Sequence, residues 1–295
     1  MRKLSIALMV ASALSQAAHA GTAGSAFLKI APGAREQGMA GAATAVAGGA
    51  TAMYINPAGM AGTGAELSAS HVELAQENKL ENIVLAHDAF GGRLAYGLTY
   101  VHYGDLEGRD TSGNLTSNFT AYDGALQLAY AKAFGNLSLG AAVKAVRNKI
   151  EDESGTGAGL DAGAIYDFKA FKLGAAITNI GKSGKLGGMD EDLPTTAAIG
   201  ASTLIKSVLI AADCKRNIPE NRTIIAAGAE AALIAAFTLR AGYQKDATNT
   251  NIPSDNMNGL NAGFGLAIGK LTVDYAYSSQ GELGNNHRFT LTAKF

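Results

Sequence analysis

The chain has 295 residues, with 24 Lys and Arg against 25 Asp and Glu and a formal charge of −1. That balance excludes a duplex nucleic-acid binder, which needs a basic face to displace counterions, and a single Cys excludes a disulfide framework, a CxxC redox pair and a Cys-rich zinc site. Hydrophobic residues reach 47% and charged ones only 17%, with 37 Gly, which fits a sheet-rich membrane protein better than a cytosolic enzyme.

The N-terminus reads as an export signal spanning 1–20. Arg2 and Lys3 form a basic start, residues 4–17 an apolar run, and Ala18-His19-Ala20 a small-x-small cleavage pattern before Gly21. The run is too short for a spanning helix, which needs about 20 residues. Cleavage after Ala20 leaves 275 residues, and the loss of Arg2 and Lys3 brings the charge to −3. No later helix can span either: the best stretch, 223–237, has 15 residues and carries Glu230 in its middle. An exported chain without a helical anchor is soluble outside the inner membrane or a β-barrel in the outer one.

Residues 21–64 do not alternate. Ala and Gly dominate, and two short helices are expected around 34–47 and 50–61, with Asn56 held extended by Pro57. Such a segment buries little area per residue and would not hold together alone. Inside a barrel whose wall is also Gly and Ala it serves as a plug.

From about residue 65 the pattern has a period of two. Leu137, Leu139, Ala141 and Val143 alternate with Ser138, Gly140, Ala142 and Lys144; Leu271, Val273, Tyr275 and Tyr277 alternate with Thr272, Asp274, Ala276 and Ser278. Fourteen strands follow: 65–75, 80–90, 92–103, 121–133, 136–149, 157–168, 171–180, 194–205, 207–216, 222–233, 236–245, 258–269, 270–279 and 287–295. Connections after odd strands are the longer ones, and those after even strands have at most two or three residues. Outer-membrane barrels sort their loops in this way, and a soluble sandwich has no reason to. The expected fold is therefore all-β, a fourteen-stranded antiparallel transmembrane barrel over 65–295. Phe295 closes the last strand and resembles the terminal signal that such barrels present to their insertion machinery.

The segment GTAGSAFLKIAPGAREQGMAGAATAVAGGATAMYINPAGMA resembles the N-terminal signature of PorV/PorQ-type outer-membrane proteins, grouped with the FadL-like hydrophobic-compound transporters. The resemblance rests on FLKI at 27–30, Arg35, Gly38, Gly41 and above all Asn56-Pro57-Ala58-Gly59. It implies a fourteen-stranded barrel with residues 21–64 as a hatch in the lumen. Gly48-Gly49 stand where members often carry an acidic pair, and Ile55 stands in place of an aromatic.

Charges on a lipid-facing strand face are costly, so register places Arg93, Asp123, Lys144, Asp161, Asp213, Lys215, Arg240, Asp274 and Arg288 inside. They would tie the wall to itself and to the plug, or line a polar path. Arg35 is expected to pair with Asp123 or Asp274. Other signals carry less. Gly155, Gly157 and Gly159 lack the helix and Lys of a phosphate loop. Asp190, Glu191 and Asp192 lack full calcium spacing, and His71 with Glu73 does not make a metal site. Cys214 falls on the apolar face. No catalytic arrangement, metal or cofactor is indicated.

The expected function is passive passage of a hydrophobic or amphipathic solute, such as a fatty acid or lipid, through a hatch-gated lumen by a monomer in the outer membrane. The alternative implied by the resemblance is a PorV-like component of a secretion system that binds exported cargo.

Overall fold

A computed structural model describes residues 23–74, 78–109, 112–186, 189–248, 259–280 and 284–295. The expected export signal, most of the 246–258 connection and part of the 280–286 one lie outside these residues. The first seven strands are β1 (Glu66–Glu73), β2 (Lys79–Ala89), β3 (Gly92–Leu106), β4 (Phe119–Phe134), β5 (Leu137–Ile150), β6 (Glu153–Asp167) and β7 (Lys172–Leu186). A short β8 (Met189–Asp192) follows. The remainder are β9 (Thr196–Ile205), β10 (Val208–Asn217), β11 (Arg222–Ile234), β12 (Phe237–Asp246), β13 (Leu260–Ile268), β14 (Leu271–Ser279) and β15 (Asn285–Lys294).

All pairings among these strands are antiparallel. β7 joins β6 to β9, and β1 joins β15 with Glu66 opposite Lys294, so the sheet closes on itself. β8 pairs only with β7 and stands outside the ring. The result is a closed fourteen-stranded barrel, in agreement with the strand count read from the sequence. Closure leaves no sheet edge.

Burial alternates along each strand and sets the two faces apart. Tyr96, Leu139 and Leu291 are 47%, 43% and 49% exposed on the outside, whereas Lys144 and Arg240 on the inside are 6% and 8% exposed. The outer wall is thus apolar and the lumen polar, the inverse of a water-soluble protein. Phe90, Phe134, Phe168, Phe171 and Phe295 project outward near the short-turn end. Tyr100, Tyr122, Tyr243 and Tyr277 stand toward the other end of their strands. Phe90 and Gly91 both have left-handed φ, 53° and 68°, as a two-residue hairpin turn requires.

Two local expectations are corrected. The strands run further into the loops than the alternation indicates: β5 and β6 are joined by Glu151-Asp152 alone, and β3 and β4 extend to Leu106 and back to Phe119. Residues 153–156 are polar or small throughout, and the other extensions are too short to show a period of two, so they carry no two-sided signal. The N-terminal segment also holds less helix than expected. Among the described residues only α1 (Ala34–Gly38) is an α-helix, and Ala50–Tyr54 and Pro57–Met60 are single 3-10 turns. Gly41 and Gly49 adopt φ of 72° and 80°, which breaks the run where Ala propensity alone would continue it.

Residues 23–64 lie within the ring. Phe27 packs under the loop end against Val72, Leu80, Val101 and Val146. Met53 and Met60 pack on Val84, Ala86, Ala95 and Ala129, and Met39 packs on Ala211 and Ala226. The segment therefore runs from the loop end down to the turn end, where it enters β1.

Candidate functional site

The wall admits the N-terminal segment because the side chains facing it are missing. A Cβ at Gly163 would overlap Asn56 Oδ1, one at Gly140 would overlap the Pro57-Ala58 peptide, and one at Gly174 would overlap Thr44 O. Across the lumen, Gly228 and Gly242 meet the Met39 backbone in the same way. These glycines come from five different strands and form a belt at the level of the hatch, which accounts for part of the chain's Gly content.

Asn56 is fully buried and joins three pieces of chain. Its Oδ1 accepts from Ala58 N–H at 3.2 Å and so caps the turn that Pro57 begins. Its Nδ2 donates to Thr44 O at 2.7 Å, to Ala164 O on β6 at 3.2 Å and to Ala175 O on β7 at 3.4 Å. Asn56 is extended, at φ −148°. Ala58 is buried and Gly59 lies flat against Ala47 O. Gly38 lets α1 sit on the stem of Arg240 and on Gly263, and the Gly41 carbonyl accepts from Lys215 Nζ.

The Arg35 pairing differs from expectation. Arg35 forks onto Glu230, with Nε to Oε2 at 2.8 Å and Nη2 to Oε1 at 2.9 Å. Arg240 Nε donates to the same Oε2 at 2.7 Å, and its Nη1 reaches Asp274 at 2.6 Å. Asp274 is therefore occupied by Arg240, and Asp123 is held across the lumen by Tyr103 at 2.5 Å and Asn148 at 2.6 Å. Glu230 was the residue missed. It shares strand parity with inward Ala226 and Gly228, and it lies opposite Arg240 in the β11–β12 register.

The other inward charges form separate groups. Lys144 lies 2.9 Å from Asp161, which also accepts from Gln127 at 2.8 Å, and Gln127 in turn donates to Met53 O in the hatch. Asp213 Oδ2 accepts from the backbone of Ala43 and Thr44 and from the Thr44 hydroxyl, with Lys215 at 3.8 Å. Arg93 reaches Asp88 at 3.2 Å and keeps two nitrogens without partners. Arg288 is 4% exposed, bonds only Ser278 Oγ at 3.3 Å, and has no carboxylate within 4 Å among the described residues. Phe295 is outside the lumen, its N–H bonded to Ala65 O. Cys214 is exposed on the outer face. Asp192 pairs with Lys182 at 2.5 Å, and His71 with Glu81 at 2.6 Å.

Two cavities flank α1. The loop-end chamber, about 430 Å³, is lined by Leu28, Ile30, Ile55, Leu74 and Ile224 and by the polar ends of Lys215 and Arg288. The turn-end chamber, about 530 Å³, lies between Gly33, Gly48, Gly62, Ser68, Thr272 and Thr292. The acidic group near Gly48-Gly49 comes from the wall: Glu66 accepts from Ala50 N–H. Burial pushes the Glu36 carboxyl above the ordinary range, against the pull of Arg35.

Solved structures carry this same architecture. The Pseudomonas putida toluene transporter TodX superposes with a TM-score of 0.61 at 15% identity, over 88% of this chain and 95% of that one. The barrel has the TodX fold. A TodX mutant described as a monoaromatic hydrocarbon channel gives 0.60 at 15% identity, over 89% and 99%. No family model matches the sequence, and no curated protein sequence matches it.

Proposed function

We propose that the chain is an outer-membrane channel for small hydrophobic or amphipathic molecules, with residues 23–64 as its hatch and residues 1–20 removed on export. The observation that carries the reading is the inverted wall, an apolar outer band closed around a charged lumen with an amphiphilic chamber at the loop end. Charges at mid-strand on a lipid face cost about 2–4 kcal/mol each, so this register suits acyl chains and would be wasted in water. Phenylalanines near one end of the wall and tyrosines toward the other fit the two interfaces of a bilayer. The fold shared with a toluene transporter supports a solute of that polarity. The solute enters among the long loops and rests against the apolar side of the hatch. No step requires chemistry, so passage is downhill.

Toluene uptake into vesicles carrying the purified protein tests this, together with mass spectrometry of whatever remains bound after detergent extraction. Faster uptake than in empty vesicles and a co-purified amphiphile are expected. Recovery of the protein without detergent, or uptake equal to that of empty vesicles, would end the reading.

A further inference from the structure

One residue borders both of the chambers beside α1. Glu36 lines both, and no other described residue does. Its side chain is 3% exposed and is anchored once, by Thr51 Oγ1 donating to Oε1 at 3.0 Å. Oε2 is buried with no donor. It rests on the bare backbone of Gly33, where a Cβ would overlap it. The neighbouring Arg35 does not serve it, because that guanidinium is forked onto Glu230. Buried polar atoms in native proteins are nearly always bonded, so an orphaned carboxylate oxygen at a partition marks a side chain with a second place to go.

Arg288 borders the loop-end chamber that Glu36 also lines. Arg288 is buried in the loop-end chamber with Nε unpartnered and no carboxylate within 4 Å among the described residues. Gln37, next to Glu36 in α1, donates to Ser278 Oγ at 2.9 Å, and Arg288 donates to the same hydroxyl at 3.3 Å. The guanidinium therefore lies near the C-terminal end of the helix that carries Glu36, one hydroxyl away from Gln37. A carboxyl with one oxygen lacking a donor and a guanidinium with no carboxylate within 4 Å among the described residues border one chamber, which is the arrangement of a two-position switch.

We propose that Glu36 is a side-chain gate. Swinging off Thr51 toward Arg288, with the hatch backbone in place, it would join the two chambers into one path to the turn-end mouth. The inference rests on the passage reading above, but it concerns the route and not the solute, so the two can fail separately.

Leak of KCl through single barrels in a planar bilayer measures the gate, and toluene uptake measures the function. Glu36→Ala should leave the partition open and raise the leak. Thr51→Ala, which removes only the anchor, should raise the open fraction about tenfold. Glu36→Gln keeps the Thr51 bond but not the attraction to Arg288, so it should stay as tight as the parent. Thr292→Trp fills the lower chamber and should return the Glu36→Ala leak to the parent level. A heat-dependent gel shift confirms that each barrel has folded. If folded Glu36→Ala is as tight as the parent, or if Thr292→Trp does not reverse its leak, the gate is wrong even where toluene uptake persists. If these leaks behave as stated while toluene uptake is absent, the gate stands and the solute reading falls.

Discussion

Gly163→Ala is the sharpest test of how the hatch is seated. The new methyl group would overlap Asn56 Oδ1, and it cannot retreat because it projects from the closed β5–β6–β7 wall. Asn56 must move instead, and its hydrogen bonds to Thr44, Ala58, Ala164 and Ala175 are disturbed together. Overpacking costs about 1–3 kcal/mol, and each lost bond about 1 kcal/mol, so partial relaxation gives about 2–5 kcal/mol for the local seat. At about 1.4 kcal/mol per tenfold, hatch opening becomes roughly 30- to 4,000-fold more frequent. Amide hydrogen exchange in reconstituted barrels reads this directly, because the Ala58 N–H is bonded to Asn56 itself. The outward Gly124→Ala is the control, since its Cβ meets nothing closer than Thr99 O at 3.6 Å. Equal protection of Ala58 in both variants would refute the belt as the seat of the hatch.

Other expectations follow from the same contacts. Arg35→Ala removes the fork to Glu230 but leaves that acid with Arg240, so it should cost about 1.5–3 kcal/mol of hatch docking and raise KCl leak, whereas an unchanged leak would show that the fork holds nothing. Lys144→Met leaves Asp161 buried without its cation, at a cost of about 3–5 kcal/mol in urea-driven unfolding from lipid vesicles; Lys144→Met with Asp161→Leu should recover most of it. Leu128→Arg puts a charge on the outer face in the middle of β4 and should lower folding stability in vesicles by about 2–4 kcal/mol, with no effect expected if that face does not meet lipid. Glu36, faced by Arg35 and Asp274, binds its proton more tightly folded than unfolded. Hatch stability should therefore be full below the ordinary carboxyl value of 4.5 and fall as pH rises through the raised one, a slope that Glu36→Gln should abolish in a proteolysis titration.

The wall was legible because a barrel strand is the simplest two-solvent problem: alternate residues meet different media, and the side-chain period of a strand is two. Leu139 against Lys144, and Leu291 against Arg288, could only be sorted one way. Legibility stopped where both faces meet the same medium. Residues 153–156 and 181–185 are polar or small on both sides, and their strand character comes from pairing with β5, β6 and β8, which a local reading cannot see. The N-terminal segment was legible as a stretch without strand alternation, but not in detail. Ala favours helix, yet the segment bends at Gly41 and Gly49 to follow a concave wall, and tertiary contact outweighs propensity where each residue buries so little.

Pairing across the lumen was the least legible feature, because alternation assigns a face and not a position around the ring. Charge balance supplies part of what alternation lacks. Arg35, Arg93, Lys144, Lys215, Arg240 and Arg288 point inward, but the strand reading set only Asp123, Asp161, Asp213 and Asp274 against them. A low-dielectric interior does not tolerate that imbalance, since an unpaired buried charge costs far more than a paired one. Two further acids had to be inside, and the structure supplies Glu230 on β11 and Glu66 at the start of β1. Glu230 was hidden by being read for what it excluded, a spanning helix, when a mid-strand carboxylate in a barrel must face the lumen. With those two counted the inward acids equal the six cations in number, though Arg288 keeps no carboxylate within 4 Å among the described residues, and Glu36 is one acid more, its Oε2 without a donor.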